Sequence, residues 1–131
     1  MRSILRAAKV LSDPTRVRIL VSLRRRELCV CELMDVLGTS QSTLSTHLQV
    51  IRKADLVSVR RQGKWLYYAL KPDTETLLEF MVDQFELGKN TDPALRRDAA
   101  KLEKRLSLRD GGLCCVGVES CSPKKKRGTR E

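Results

Sequence analysis

A helix, a short turn with glycine, a second helix and a β-hairpin follow one another along the middle of the chain. This order predicts a mainly α-helical fold with a small β-hairpin, the winged helix-turn-helix. Gly38 ends the first of these helices and Gly63 lies in the hairpin turn. Both positions favour a backbone with positive φ, which glycine adopts without steric cost. A chain of 131 residues has room for one small core of this kind.

Basic residues dominate the composition. Twenty-six Lys and Arg against 16 Asp and Glu give a net charge of +10, which favours polyanionic partners. Large two-domain enzymes are excluded by length, and no apolar run approaches the ~18–20 residues of a membrane span. Charges at Arg2, Arg6 and Lys9 interrupt the N-terminal apolar pattern, so we expect no export signal. A cytoplasmic protein with free thiols and no membrane partner is predicted.

Two helices are predicted before the helix-turn-helix. Apolar residues of the first repeat at helical spacing: Ile4, Leu5, Ala8 and Leu11. Ser12-Asp13-Pro14 then ends it and caps the second, because Asp favours the N-cap and Pro the first helical position. The second helix is expected to turn five apolar side chains inward: Val17, Ile19, Leu20, Val21 and Leu23.

The second helix of the helix-turn-helix carries the predicted DNA-reading face. Thr39-Ser40 caps residues 41–53, and Leu44, Leu48 and Ile51 point inward. The opposite face is short and polar, and its hydroxyl and amide groups suit phosphates and base edges. It consists of Ser42, Ser45, Thr46, Gln49 and Lys53. His47 falls at the edge of the buried stripe, which favours a hydrogen-bonded packing role.

The hairpin is expected to form the wing. Its strands are predicted at Leu56–Arg61 and Trp65–Leu70, around Gln62-Gly63-Lys64. Basic side chains near the tip would contact the DNA backbone or reach the minor groove. These are Arg60, Arg61 and Lys64.

Two further helices follow, one from Pro72-Asp73 to Gly88 and one after Asp92-Pro93. Their apolar stripes are expected to lack neighbours within one protomer, which favours a homodimer on palindromic double-stranded DNA. The stripes comprise Leu77, Leu78, Met81, Val82 and Phe85, then Leu95, Ala99, Leu102 and Leu106. We therefore divide the chain into a DNA-binding and dimerisation domain at 1–88, a C-terminal helix at 89–110 and a flexible, basic, cysteine-containing tail at 111–131.

Five cysteines form two groups, a pair at Cys29 and Cys31 and a triad at Cys114, Cys115 and Cys121. An odd number in a reducing compartment suits metal or redox chemistry better than disulfides. On a regular helix the pair would point about 200° apart, so sharing one ion requires an unwound first turn. The run Arg24-Arg25-Arg26 is expected to lower the pKa of both thiols. Thiolates favour trivalent arsenic or antimony, with Cd(II) or Pb(II) next.

The segment ELCVCEL from Glu27, followed by QSTLSTHLQVIRKADLV from Gln41, resembles the ArsR/SmtB family of metal-responsive repressors over roughly residues 5–85. The resemblance implies a winged-helix repressor, and the Cys-Val-Cys pair is the mark of the arsenic-responsive branch. In those relatives binding at the pair distorts the reading head and releases DNA. A third ligand often follows three residues later, where this chain has Met34. The spacing of Cys114, Cys115 and Cys121 resembles C-terminal arsenic sites in another subset of the same family.

These observations predict a homodimeric repressor that needs no cofactor and releases its operator when arsenite or antimonite binds cysteine thiolates. The inducer site stays open between the pair, the triad, both, or a shared site. Position favours the pair as the switch, and ligand count favours the triad as the tighter site. Thiol oxidation or Cd(II)/Pb(II) as the signal, and a purely architectural DNA-binding protein, are the alternatives. No enzyme is expected, because Leu37 and Cys121 stand where a Cys-x5-Arg phosphate loop needs arginine.

Overall fold

The computed structural model describes residues 1–87 and 92–109. Within these residues the chain forms six α-helices and three β-strands. In chain order they are α1 (Arg2–Leu11), α2 (Pro14–Leu23), β1 (Leu28–Cys29), α3 (Val30–Leu37), α4 (Gln41–Lys53), β2 (Val57–Gln62), β3 (Trp65–Leu70), α5 (Pro72–Gln84) and α6 (Pro93–Leu106). The prediction of a mainly helical fold with a hairpin is confirmed.

Capping residues set most helix boundaries where the sequence placed them. The side chains of Asp13 and Ser40 accept hydrogen bonds from backbone amides of α2 and α4, and Asp92 does the same for α6. Gly38 closes α3 in the left-handed conformation, with φ of 65°. The end of α5 was predicted wrongly, because the helix stops at Gln84 rather than continuing to Gly88, which lies outside the described residues.

The sheet has three antiparallel strands in the order β1-β3-β2. Gln62 pairs with Trp65, so Gly63 and Lys64 form a two-residue turn in which Gly63 has φ of 61°. The first hairpin strand starts at Val57, one residue later than predicted. Strand β1 was missed, since two residues carry no periodicity and pair with β3 only in the folded chain.

The main core lies between α2, α3, α4 and the sheet. Its fully buried members include Ile19, Leu20, Leu33, Leu44 and Ile51. Val17 and Val21, which were expected inside, are only half-buried. Leu102 of α6 joins this core, with 2% of its surface exposed.

Helix α6 packs against α2 and α3 of its own protomer. This corrects the expectation that both C-terminal helices lack neighbours. Two ion pairs accompany the packing: Arg18 contacts both oxygens of the buried Asp98 carboxylate at 2.8 and 2.9 Å, and the buried Arg105 contacts Asp35 at 3.1 Å. The Asp98 hydrogen bond raises the pKa of Arg18. The sequence pattern missed these contacts because their partners lie far apart along the chain.

Candidate functional site

Helix α4 presents the predicted polar face to solvent. Leu44, Leu48 and Ile51 are buried against the core. All five side chains predicted to read DNA are exposed: Ser42, Ser45, Thr46, Gln49 and Lys53. The hydroxyl of Thr46 donates to the Ser42 carbonyl at 3.1 Å, which orients it along the helix. The hydroxyl and amide groups exposed on this face are of the kinds that can hydrogen-bond phosphates and base edges.

One side chain of α2, Arg16, links α4 to the end of α1. The guanidinium of Arg16 donates to Nδ1 of His47 at 3.2 Å, and it also donates to the carbonyls of Lys9 and Val10 at the end of α1. His47 is half-buried, as predicted for a hydrogen-bonded packing residue. Arg16 therefore contacts α4 on the side that faces the protein, while the polar face of α4 remains exposed to solvent.

The three predicted DNA-binding cations of the wing differ in their contacts. Arg61 and Lys64 are exposed near the turn. Arg60 instead grips the Glu27 carboxylate, with donor–acceptor distances of 3.0 and 3.1 Å from its Nε. This ion pair lowers the pKa of Glu27 and raises that of Arg60. The Glu27 carboxylate therefore already neutralises Arg60, one of the three wing cations predicted to contact DNA.

Cys29 and Cys31 meet in one buried cluster. Both are 0% exposed and pack with Tyr67, against which Trp65 also lies. Cys29 ends β1 with extended backbone angles, φ −85° and ψ 167°, and Cys31 lies in the first turn of α3. The expectation that both residues lie on a helix was wrong. Cys29 lies on a strand and Cys31 on a helix. Their side chains therefore reach the same cluster without the unwinding of a helical turn.

Glu32 and Arg109 surround this cluster and were missed by the sequence reasoning. Glu32 is 0% exposed, and its Oε1 accepts the backbone N–H of Cys29 at 3.0 Å. Arg109 donates to both Glu32 oxygens at 2.7 Å and to the Glu27 carbonyl at 2.8 Å. The bond to Glu32 raises the pKa of Arg109. Glutamate three residues after an N-cap position is a capping-box signal, which could have identified Glu32.

Arg109 brings positive charge near the thiols, and its charge interacts with Cys29. Two of the three arginines that were expected to lower the thiol pKa values form ion pairs with other residues. Arg24 pairs with Glu79 at 3.0 Å and Arg25 with Glu103 at 3.1 Å, both at the surface. Arg109 was not among the cations expected near the thiols, because sequence proximity did not reveal which guanidinium the fold brings to the cysteines.

The second cysteine group lies outside the described residues, at Cys114, Cys115 and Cys121. Within residues 1–87 and 92–109, no three His, Cys, Asp or Glu side chains form a metal-binding group. Cys31 is disulfide-bonded, which differs from the free thiols predicted for the chain. None of the helices in the described ranges has the length and apolarity to cross a membrane.

Comparison with known proteins gives the family. Residues 13–59 match the model described as "Bacterial regulatory protein, arsR family". The arsenic resistance transcriptional regulator ArsR2 of Pseudomonas putida is 43% identical over 93 residues, 67% of this chain and 80% of that protein. The chain belongs to the ArsR family. Its members are transcriptional regulators rather than enzymes, as the sequence predicted.

Other relatives match over a smaller part of their length. ArsR1 of the same bacterium is 43% identical over 75 residues, 56% of this chain and 59% of that protein. A cadmium resistance regulatory protein, a CadC homolog of Staphylococcus aureus, is 40% identical over 63 residues, 47% of this chain and 52% of that protein. Among solved structures, HlyU from Vibrio cholerae aligns with a TM-score of 0.60 and 29% identity, over 64% of this chain and 92% of that chain. The fold of this chain is thus similar to that of HlyU.

Proposed function

We propose that this ArsR-family protein is a homodimeric repressor that binds a palindromic operator and releases it when trivalent arsenic or antimony binds cysteine thiolates. The observation that carries this proposal is the buried pair Cys29 and Cys31 at the start of α3, directly before the exposed reading helix α4. Once Cys31 is reduced, two sulfur donors in one buried cluster suit a thiophilic ion and disfavour hard cations. The arsenic resistance regulators among the relatives support the same choice.

The DNA face combines the polar side of α4 with the tip of the wing. Ser42, Ser45, Thr46 and Gln49 supply hydroxyl and amide groups, and Lys53 adds a cation at the end of the helix. Arg61 and Lys64 would follow the phosphate backbone from the wing. The net charge of +10 agrees with this partner.

An apolar groove between α1, α2 and α5 supports the homodimer. Its volume is about 340 Å³, and its walls are formed by Leu11, Val17, Leu20, Val21, Leu78, Met81, Val82, Phe85 and Leu87. Phe85 is 67% exposed at its edge, and Ile4 and Leu5 of α1 are 68% and 60% exposed. Covering such a surface with a second copy removes apolar area from water and spaces two reading helices for a palindrome.

Two alternatives concern the signal rather than the fold. The disulfide at Cys31 favours thiol oxidation as a second candidate, because a regulator can respond to the same thiols being oxidised. Cd(II) or Pb(II) suits the same soft donors, and one relative is named as a cadmium resistance protein.

Operator titration separates these candidates. A duplex selected by the full-length protein from a random pool is labelled, and its anisotropy is followed under anaerobic conditions with pre-reduced protein. Arsenite, antimonite, Cd(II), Pb(II), Zn(II) and peroxide are then added in parallel. Release by arsenite or antimonite at the lowest dose supports the proposal. Release only by peroxide, only by Cd(II) or Pb(II), or by nothing, contradicts it in favour of the redox, metal or architectural alternative respectively.

A matched pair of variants shows whether release acts through the thiols. Cys29→Ser/Cys31→Ser keeps small side chains in the buried cluster but removes both sulfurs, so we expect operator binding to persist and arsenite response to fall. Ser22→Cys adds a buried thiol on α2, outside the cluster of Cys29, Cys31 and Tyr67, and serves as the control that should respond as the wild type does. Unchanged arsenite release from Cys29→Ser/Cys31→Ser rejects the pair as part of the switch.

A further inference from the structure

A basic cleft lies between α1 and the C-terminal end of α4. Its volume is about 440 Å³, and the residues that line it are Arg6, Lys9, Val50, Lys53 and Ala54. The three cationic side chains are exposed to solvent, and the two apolar residues are half-buried. Within the described part of the chain, no Asp or Glu lines this cleft. The cleft therefore concentrates positive charge beside two small apolar side chains.

The fold itself does not use these cations. None of the ion pairs formed among residues 1–87 and 92–109 involves Arg6, Lys9 or Lys53. The exposed pair of Arg24 and Glu79 shows the contrast, since that guanidinium has a carboxylate at 3.0 Å. Like charges around one cleft repel each other, and an anion between them relieves this repulsion. The charge of the cleft thus favours an anionic ligand.

Arg16 of α2 holds the two walls of the cleft in place. At the end of α1 it donates to the carbonyls of Lys9 and Val10, at 2.9 and 3.1 Å. Its third contact is with Nδ1 of His47 on α4, at 3.2 Å. One guanidinium thus joins both helices behind the cleft. A site whose walls are already positioned loses less conformational entropy when a ligand binds.

The cleft adjoins the polar face of α4 that is assigned to DNA. Lys53 belongs to both, because it lines the cleft and lies one turn after Gln49 on the polar face. Val50 and Ala54 lie about 60° and 100° from Lys53 around the helix, on the flank that α1 faces. An α-helix about 10–12 Å across fills a major groove about 12 Å wide, so its flanks meet the phosphate backbones that border the groove.

On the basis of the proposed function, in which operator DNA is the partner, we propose that this cleft binds one backbone phosphate of the operator. Arg6 and Lys9 of α1 contact that phosphate together with Lys53 of α4. The contact carries no sequence information, since phosphate oxygens are the same at every base pair. It fixes the orientation of α4 in the groove and adds affinity for any duplex. Helix α1 therefore contacts DNA in addition to the reading helix and the wing.

The test removes the charge of one phosphate at a time. Single methylphosphonate linkages, which are uncharged, are placed along the operator duplex, and each duplex is titrated with reduced full-length protein by anisotropy. At one phosphate per half-site we expect the wild type to bind about threefold more weakly, the effect of one exposed charge pair. In Arg6→Gln/Lys9→Gln the same modification should have no effect. If every phosphate that matters to the wild type matters equally to this variant, the proposal is overturned.

A charge-matched variant provides the control. Arg97→Gln/Lys104→Gln also removes one arginine and one lysine, from exposed positions of α6 outside the cleft. It should keep the wild-type pattern of sensitive phosphates. Arg6→Lys/Lys9→Arg exchanges the two cations and should keep that pattern as well, because a phosphate accepts hydrogen bonds from either group.

Salt dependence gives a second readout on the same variants. In Arg6→Gln/Lys9→Gln the slope of log K against log salt should fall by roughly 1, on the operator and on random duplex alike. Between about 50 and 200 mM salt this variant should therefore lose roughly threefold less affinity than the wild type. Equal slopes in Arg6→Gln/Lys9→Gln and Arg97→Gln/Lys104→Gln contradict the phosphate site.

Other anionic occupants give different results. Inorganic phosphate, titrated at constant ionic strength, tests a small free anion. If Arg6→Gln/Lys9→Gln loses phosphate binding but keeps the wild-type pattern of sensitive DNA phosphates, the occupant is the free anion and the proposal is rejected. If sedimentation instead shows that this variant no longer dimerises while its DNA pattern is unchanged, the cleft binds a carboxylate of a second copy, which also rejects it.

These outcomes are separate from failure of the proposed function. A phosphate whose effect depends on Arg6 and Lys9, in a protein that arsenite and antimonite do not release, retains the cleft and rejects the arsenic-responsive repressor. Release by arsenite without any such phosphate retains the repressor and rejects the cleft.

Discussion

Cys29 and Tyr67 lie directly opposite each other in the pairing of β1 with β3. Tyr67 in turn pairs with Arg60 of β2, whose guanidinium carbon is 4.6 Å from the centre of the tyrosine ring. Residues opposite one another across neighbouring strands share a face of the sheet. The buried thiol is therefore connected through one aromatic side chain to the wing. We expect a ligand that displaces Cys29 to act on the wing as well as on α3.

Arg60→Lys is predicted to uncouple the inducer from the wing. Lysine keeps the charge but loses the forked contact with Glu27 and much of the stacking on Tyr67. We expect operator affinity without arsenite to stay within about threefold, while the coupling, normally ~1–3 kcal/mol, is reduced. The measurement is the ratio of operator Kd with and without arsenite. Arg61→Lys is the control, and an unchanged ratio in Arg60→Lys shows that the sheet does not transmit the signal.

Gln49→Ala is predicted to lower sequence discrimination. If the amide reads a base from the exposed face of α4, its loss costs ~1–3 kcal/mol on the operator and little on random duplex DNA. Fluorescence anisotropy with both duplexes measures this difference. Gln84→Ala, at the exposed end of α5, should leave both affinities as they are. Equal losses on the two DNAs would argue against base reading by Gln49.

Arg61→Ala is predicted to weaken binding to every duplex. A wing cation that neutralises a phosphate releases about one counterion, so the slope of log K against log salt should fall by roughly 1. Arg60→Ala should change the slope less, because Glu27 already neutralises that guanidinium. The salt series is run from low to physiological ionic strength. A larger slope change for Arg60→Ala than for Arg61→Ala reverses the assignment.

Asp98→Ala is predicted to destabilise the fold by loosening α6. Asp98 is 4% exposed and Arg18 bonds to both of its oxygens, so removing the carboxylate leaves a partly buried guanidinium without this partner. We expect a loss of about 2–4 kcal/mol in the free energy of unfolding. The surface pair partner Glu103 provides the control, since Glu103→Ala should cost below about 1 kcal/mol. Urea denaturation compares them, and similar losses contradict a structural role for Asp98.

Phe85→Glu is predicted to shift the protein from dimer to monomer. Phe85 is 67% exposed and lines the apolar groove, so a carboxylate there would be buried without a partner in the proposed interface. Sedimentation at micromolar concentration measures the change. Gln84→Glu adds the same charge one residue away and should leave the dimer intact. A wild-type protein that is already monomeric at this concentration contradicts the dimer itself.

Local signals in the sequence determined most of the helices, the hairpin and the exposed polar face of α4. Asp13, Ser40 and Gly38 act within a few residues of their own positions, so their effect is readable without the fold. The apolar spacing of α4 likewise defines its solvent side. The cysteine pair could also be recognised from the sequence, because Cys29 and Cys31 are only two positions apart.

Tertiary structure alone decided how the cysteine cluster is built and connected. Glu32 and Arg109 are 77 residues apart, as distant as Arg18 and Asp98 at 80, and no periodicity links such positions. Strand β1 exists because β3 pairs with it, which moved Cys29 out of the expected helix. A charged side chain pairs with whichever opposite charge the packing brings near it. For Glu32 and Asp98 this pairing depends on the packing of α6 against α2 and α3. The sequence therefore identified the thiols, while the packing determined which arginine stands beside them.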